Sequence, residues 1–494
     1  MTSKTLNLAW LPGVELGDAD AVWELPGEGA MARFPRLGPT EIHEVAEQIR
    51  AARASFLQNL PADRVAELVG AAVNRWLDPF SPYLGEACRL LPAFTGYPEP
   101  AVRKGLGSFL SGYRTENLRR LLEDELGDPE VLDGFRPRRG AAGRWRAHGP
   151  DLTVHSFAGN TPGLPAQSLI AALLAKSASL GKVAAGEPVF ASLFARSLAE
   201  VDPDLGACVA VTYWPSSAED VAAAAFAEGE AVVAYGTDEA IAGVRRLVPP
   251  RARFIEYGHR LSLGVLCRER LRAAEAADLA ERAAYDVVRF DQQGCLSPHL
   301  LYVEEGGDVD AAGFAGALAG ALERWSRIVP RARLTGEERA RVAEVVREHE
   351  FRSAVGGGAV YRRDDWAVLV DRSPAFAPSC LNRVVWVKPL PHAAKLAELL
   401  APIRGHLQTV GLAAGPDREA EVAEVAGSCG ADRVCPLGQM GDPLPTWHHD
   451  GRPPLLDLLR FTDLDPDLPG GRWELAHPEA GVLGRPPPPV GDRG

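Results

Sequence analysis

The chain has 494 residues, of which 46% are hydrophobic and 24% charged, and a formal net charge of −13. That length exceeds one compact core and predicts two or three domains, and the composition excludes general disorder. The acidic balance argues against a nucleic-acid or anionic-membrane partner, because both attract positive surface.

The N-terminal stretch Met1–Pro12 has no basic start followed by a long apolar run. The most apolar segment, Ser168–Ala175, is too short to span a membrane and is soon followed by Lys176 and Lys182, so a cytoplasmic location is expected. Residues 40–125 read as mostly helical. Glu41–Leu60 and Arg64–Trp76 carry apolar residues at three- and four-residue intervals, with Pro61 between them. Gly134–Arg144 is rich in Gly and Arg and reads as an exposed loop.

From Asp151 strands and helices alternate. Strand Leu152–Phe157 leads into the turn Gly159-Asn160-Thr161-Pro162-Gly163 and a helix over Ala166–Lys176. An apolar segment near Val183 and a helix Val189–Val201 follow. Strand Cys208–Thr212 precedes a helix opened by Ser216-x-x-Glu219, a capping-box pattern. Strand Ala231–Tyr235, the turn Gly236-Thr237-Asp238, a further helix and strand Arg253–Tyr257 complete the series. This alternation predicts a parallel sheet covered on both faces. No GxGxxG fingerprint is present.

A second α/β run begins near Leu261, with strands at His299–Val303, Ala367–Asp371 and Arg383–Lys388 and a helix Gly336–His349 behind the capping box Thr335-x-x-Glu338. Four consecutive prolines, Pro486 to Pro489, mark a tail expected to be disordered. The domain reading is therefore 1–258 for the helical region and a Rossmann-like domain, 259–440 for a catalytic domain, 441–470 for a C-terminal loop and strand near the site, and 471–494 for the tail.

Seven cysteines without a CxxC pair make neither a disulfide framework nor a zinc site, and no metal is expected. Cys295 stands apart, in Phe290-Asp291-Gln292-Gln293-Gly294-Cys295-Leu296-Ser297-Pro298. A Gly before it allows a tight turn that exposes the sulfur, and a thiolate is a strong nucleophile once its surroundings lower its pKa. In isolation this segment fits a structural thiol better than a nucleophile.

Gln293-Gly294-Cys295 resembles the nucleophile loop of the aldehyde dehydrogenase superfamily, one residue shorter than Gln-Gly-x-Cys. Other landmarks of that superfamily occur upstream in order. Asn160 matches the Asn of the Pro-Trp-Asn-Phe-Pro turn, and Lys182 the Lys of Lys-Pro-Ser-Glu. Gly236-Thr237 matches the Gly-Ser/Thr turn, and Glu256-Tyr257-Gly258 matches Glu-Leu-Gly-Gly. Successive separations of 22, 54, 20 and 39 residues from Asn160 to Cys295 are close to the superfamily's own.

Within the superfamily the chain is similar to the LuxC-type acyl-CoA reductases. The similarity is carried by the Asn160 turn, Ala172–Ala178, Leu193–Pro203, the Cys295 segment and Trp447-His448-His449-Asp450-Gly451, over roughly residues 40–465. It implies an aldehyde-dehydrogenase-like α/β fold: a Rossmann-like cofactor domain, an α/β catalytic domain and a helical N-terminal region. It also implies NADPH-dependent reduction of a fatty acyl thioester, on CoA or an acyl carrier protein, to the aldehyde through an S-acyl cysteine. Cys295 would be the nucleophile, with Asn160 in the oxyanion hole. Lys182, Ala185, Gly236, Thr237 and Gly258 would meet the cofactor. The Glu that recognises a 2′-hydroxyl in NAD-preferring relatives is here Ala185, which favours NADPH; Glu187, two residues on, is a rival for the ribose.

Glu256 is left with three roles: proton relay, activation of Cys295, or structural pairing. His299 reads as structural, and His448-His449-Asp450 as a loop near the site mouth. An acyl-protein synthetase or transferase partner and a homo-oligomer follow from the resemblance alone. Two other readings stay open: NAD(P)-dependent oxidation of aldehyde to acid, which Glu256 favours, and an acyl-transfer or binding subunit without reductase activity.

Overall fold

The computed structural model describes residues 4–13, 21–140 and 142–466. The tail beyond lies outside the described residues. Five helices, Pro39–Ser55, Ala62–Leu77, Pro82–Thr95, Glu99–Ser111 and Thr115–Leu126, fill the predicted helical region. Before them come three strands that periodicity did not reveal, Lys4–Asn7, Val22–Gly27 and Ala30–Pro35. The Gly/Arg stretch is a short hairpin rather than a free loop: Arg136–Pro137 pairs with Arg144–His148, which pairs in turn with the C-terminal strand Arg460–Leu464.

The first α/β run forms a five-stranded parallel sheet. Its spatial order is Arg253–Tyr257, Ala231–Tyr235, Leu152–Ser156, Ala178–Lys182, Val209–Thr212. Chain order reverses between Leu152–Ser156 and Ala231–Tyr235, and such a reversal opens a crevice at the carboxyl ends of parallel strands. The loops leaving those two strands are the Asn160 turn and Gly236-Thr237. The expected capping box at Ser216 does not form. Helix Glu219–Glu228 is capped by Ala218 without a side-chain bond, because Ser216 sits two residues too early.

The second sheet has seven strands: Gly358–Arg362, Ala367–Asp371, Val384–Leu390, Pro298–Glu304, Leu261–Leu266, Leu407–Ala413 and Arg433–Pro436 in spatial order. All pairings are parallel except that of the edge strand Gly358–Arg362. The box at Thr335 is present: Thr335 Oγ1 accepts from Glu338 N and Glu338 Oε2 accepts from Thr335 N, at 3.2 and 2.7 Å. No described helix is long and apolar enough to cross a membrane.

The two sheets meet end to end. Segments before Pro298, Val384, Leu407 and Leu261, at the amino ends of the second sheet, face the carboxyl ends of the first. Cys295, Leu381, Gln408 and Arg260 come from the second sheet's side; Asn160, Gly236 and Gly258 come from the first. All seven line one cleft of about 430 Å³.

Candidate active site

Cys295 is half-buried in the turn before strand Pro298–Glu304. Phe290, Asp291 and Gln292, just upstream, all have left-handed backbones, with φ of 43, 52 and 65°. A non-glycine residue there costs of order 1–2 kcal/mol, so three in a row need a strong external hold. The opposing segment repeats the conformation at Leu381, Asn382 and Arg383, with φ of 61, 58 and 64°.

The two strained turns are locked to each other. Asn382 N donates to Asp291 O at 2.9 Å, Gln293 Nε2 donates to Asn382 Oδ1 at 3.0 Å, and Arg383 Nε meets Asp291 Oδ1 at 2.5 Å. The Arg383 side chain is 0% exposed and that of Asp291 2%. Arg383 also donates to Val329 O and Pro330 O, and Asp291 Oδ2 accepts from Ala332 N. Burial raises the Asp291 pKa while Arg383 opposes that rise.

A second tie runs to the first sheet. Asn160 Nδ2 donates to Gln293 O at 2.7 Å, which leaves one amide hydrogen for another acceptor. The Tyr97 hydroxyl lies 3.0 Å from Asn160 O and 3.1 Å from Phe290 O, and shares its proton between them. Ser262 Oγ donates to Cys295 O at 2.7 Å. The Cys295 N–H has no acceptor among the described residues.

Near the sulfur lies Asp450, from the loop expected at the site mouth. The Asp450 carboxylate is 1% exposed and pairs with Arg260 Nε at 3.0 Å; its other oxygen accepts from Gln408 Nε2 at 2.6 Å. Burial first, and then the Asp450 charge, pushes the Cys295 thiol up to about 12, against the pull of Gln408 and Arg260. The resting sulfur is therefore the neutral thiol at physiological pH. His449 stacks between Tyr257 and Trp447, at 4.1 and 4.6 Å between ring centroids. Its Nδ1 is 3.0 Å from Gln167 Nε2, and burial lowers it to about 4, so it is neutral. His299 also lines the cleft. The Ser379 N–H donates to its Nδ1 at 3.1 Å; burial lowers it to about 4, so its proton sits on Nε2.

Glu256 is not brought to this cleft. Alternate strand residues face opposite ways: Tyr257 turns to His449, and Glu256 turns to helix Asp238–Leu247, where Arg245 Nη2 meets its Oε2 at 2.5 Å. Structural pairing is the one of its three expected roles that this contact matches. Gly236 and Gly258 line the cleft beside Thr237, whose Oγ1 caps helix Asp238–Leu247 by accepting from Ala240 N.

Lys182 ends the neighbouring strand outside the cleft lining. Its ammonium lies 5.8 Å from the Tyr213 ring centroid and makes no ion pair among the described residues. Burial lowers it to about 8, so it stays largely cationic at neutral pH. Ala185 is exposed. Glu187, the rival for the ribose, is 2% exposed and turns inward, where its Oε1 accepts from Val189 N and Phe190 N. Among the described residues, His43, Glu47 and Glu228 also converge at the surface, but Arg50 pairs with both carboxylates there, making an ion-pair cluster.

Residues 57–461 match the family model described as Acyl-CoA reductase (LuxC). The chain is 26% identical over 345 residues to the long-chain acyl-protein thioester reductase of Aliivibrio fischeri, covering 68% of each. It is 25% identical over 346 residues to that of Photorhabdus laumondii, covering 69% of each. Among solved structures, it is similar to an NAD-dependent benzaldehyde dehydrogenase from Corynebacterium glutamicum. That match has a TM-score of 0.67 and 14% identity, and covers 94% of this chain and 99% of the other. An E. coli NADP-dependent enzyme matches at a TM-score of 0.68 and 14% identity, covering 94% and 98%.

Two expectations follow. Arg383→Met leaves a buried carboxylate without its counter-charge and should cost about 3–5 kcal/mol, read from denaturant midpoints, with Asp291→Asn in the same chain recovering part of the loss. Alkylation of Cys295 by iodoacetamide should rise about tenfold per pH unit from 7 to 10 without a plateau, since the thiolate fraction grows that way below the thiol pKa. Asp450→Asn removes a charge that opposes ionisation, so it should speed alkylation at every pH in that range.

Proposed function

The chain belongs to the LuxC family of acyl-CoA reductases, and from that premise we propose that it reduces an acyl thioester to the aldehyde, using Cys295 as a covalent acyl carrier. The observation that carries this reading is the convergence of Cys295, Asn160 and the Gly236 and Gly258 turns on one cleft, while Glu256 points elsewhere.

The Cys295 sulfur attacks the thioester carbonyl carbon. The free Asn160 amide hydrogen and the unpartnered Cys295 N–H offer the developing oxyanion two donors, each worth roughly 3 kcal/mol in such a transition state. The tetrahedral centre collapses by expelling the donor thiolate, and the proton lost by Cys295 ends on that thiol. CoA and an acyl carrier protein are the two donors of this chemistry.

The residues present fit a nicotinamide dinucleotide. Lys182 is a largely buried cation without a counter-ion, Gly236 and Thr237 lead into a helix at the sheet's reversal point, and no carboxylate stands at exposed Ala185. The withdrawal of Glu187 into its capping bonds removes the rival for the ribose, so NADPH is the favoured form. Bound there, the reduced nicotinamide supplies the hydride that converts the acyl group to the aldehyde. Cys295 is then released as the thiolate and takes a proton to regain its resting form.

Release as an acid would need a base to activate water. Glu256 is engaged by Arg245, both Asp450 oxygens are engaged by Gln408 and Arg260, and His449 is held by Gln167 and its aromatic neighbours. With these groups so engaged, Glu256 no longer favours aldehyde oxidation; the imidazole of His259 also lines the cleft.

Incubation with acyl-CoA should add one acyl mass to the intact protein, and subsequent NADPH should discharge it as aldehyde. Cys295→Ala should bind NADPH and take up no acyl group; full labelling of that variant would overturn the assignment. Glu256→Gln breaks only a surface pair and should change the reduction rate by about twofold or less, whereas loss of a true general base costs roughly 10²–10⁴-fold.

A further inference from the structure

A cavity of about 460 Å³ opens between helix Gly336–Ala354 and the turn that leads into strand Ala367–Asp371. Five arginines line it, Arg331, Arg339, Arg347, Arg362 and Arg363, against two carboxylates, Glu350 and Asp364, on a chain whose net charge is −13. Glu350 is spent on Arg362, at 2.7 Å, and Arg363 reaches Glu323 at 3.6 Å. Arg331, Arg339 and Arg347 meet no carboxylate at ion-pair distance among the described residues. Arg331 donates instead to Asp364 O and Arg347 to Ala343 O, at 2.7 and 3.0 Å. Arg339, Ala343 and Arg347 recur at four-residue spacing, so both guanidiniums rise from one face of the helix.

This cavity lies at the end of the second sheet that carries Cys295. Leu300 pairs with Trp386 and Trp386 with Leu369, so Ala367, at the cavity's edge, stands two strands from Pro298, about 10 Å away. Cys295 is three residues before Pro298. Leu334 lines the arginine cavity and also a neighbouring one of about 230 Å³, to which Asn160 and Gln293 contribute. Those two residues border the Cys295 cleft as well. The three spaces follow one another from the arginines to the sulfur.

The thioester donors of the proposed reaction have the matching shape. Each carries its acyl group on a neutral pantetheine arm whose other end is a phosphate ester. The arm has the reach of roughly five extended residues, about 17 Å, which is the scale of that separation. Guanidinium forks match phosphate oxygens through paired, charge-assisted hydrogen bonds. Three of them without a carboxylate partner in one cavity form a receptor for such an anion.

Resting on the reductase reading above, we propose that the arginine cavity seats the phosphate end of the pantetheine thioester donor, with Arg331, Arg339 and Arg347 as its anchors and the arm running past Leu334 and Asn160 to Cys295. The donor then has a site of its own, apart from the Gly236 turn and Lys182.

The test compares acylation of the full chain, followed by intact mass, with decanoyl-CoA and with decanoyl-N-acetylcysteamine, which has no phosphate. The wild type should half-saturate with the CoA thioester at a concentration at least about tenfold lower. Replacing Arg339 and Arg347 together by Ala, both at exposed positions on the helix, should erase that advantage and leave the N-acetylcysteamine thioester unchanged. An advantage that survives in this variant overturns the site. A decanoyl carrier protein separates the two sources of the phosphate: the variant should weaken with CoA, with the carrier or with both, and weakening with neither refutes the proposal. Calorimetry of free CoA on Cys295→Ala reads binding without chemistry. Binding should weaken about tenfold or more when Arg339 and Arg347 are also replaced, and NADPH should leave it unchanged; displacement of CoA by NADPH puts the phosphates in the cofactor cleft and ends the proposal. If no thioester acylates Cys295, the reductase reading falls, while the calorimetry still decides the arginine cavity.

Discussion

The Asp291–Arg383 ion pair is the constraint on which the position of Cys295 depends. Buried ion pairs seldom add net stability, because removing both charges from water costs several kcal/mol each. Here the pair serves geometry. Two runs of three left-handed residues, each unfavourable alone, face each other across it. The guanidinium fork also engages two carbonyls from the segment after helix Ala311–Ile328, and the carboxylate engages Ala332 N. One charge pair thus holds three chain segments, and the turn carrying Cys295 starts from that fixed point.

The division of labour between the sheets follows from their ends. Carboxyl ends of parallel strands release loops whose N–H groups and helix starts favour anions, and the first sheet presents Gly236-Thr237 and Lys182 there. The second sheet presents its amino ends, where side chains such as Cys295 and Gln408 enter the cleft from rigid strand starts. Tyr97 and Asn160 bridge the two: the Tyr97 hydroxyl contacts a carbonyl on each side, and the Asn160 amide reaches the Gln293 carbonyl. In the proposed reaction, a carbonyl between the sheets meets a nucleophile and donors held by different cores.

Much of this was legible in the sequence because it is local. Strand–turn–helix alternation from Leu152 to Tyr257 is a period signal, and Gly294 before Cys295 is a contiguous one. The Thr335 box is contiguous as well. Glu256 was placed on its strand correctly, but the facing direction of a single strand residue depends on which neighbour turns to the core, and Tyr257 takes that direction. Of the Asp450–Gln408–Arg260 group, only Asp450 lay in a segment read as near the site mouth; Gln408 and Arg260 had no local signature. Its members are brought together across 190 residues by the register of Leu261–Leu266 against Leu407–Ala413. The three N-terminal strands were missed for a related reason: Lys4–Asn7 is largely exposed and Val22–Gly27 fully buries only Leu25, so burial leaves little alternation to read.

The raised thiol and the engaged Asp450 carboxylate serve one requirement of the proposed reaction. In the proposed reaction an acyl thioester on Cys295 must survive until hydride arrives, so water near it must stay unactivated, and Asp450, His299 and His449 beside the sulfur are engaged or neutral. The same surroundings hold the resting cysteine as a thiol, which is slow to oxidise and slow to react with stray electrophiles. A strong general base would speed acylation but would equally speed loss of the acyl group to water. Enclosing the sulfur with Asp450, itself occupied by Arg260 and Gln408, disfavours ionisation while the cleft is empty. In the proposed reaction, attack then depends on the carbonyl being held at the Asn160 amide and the Cys295 N–H, where charge leaving the sulfur is received by donors already in place.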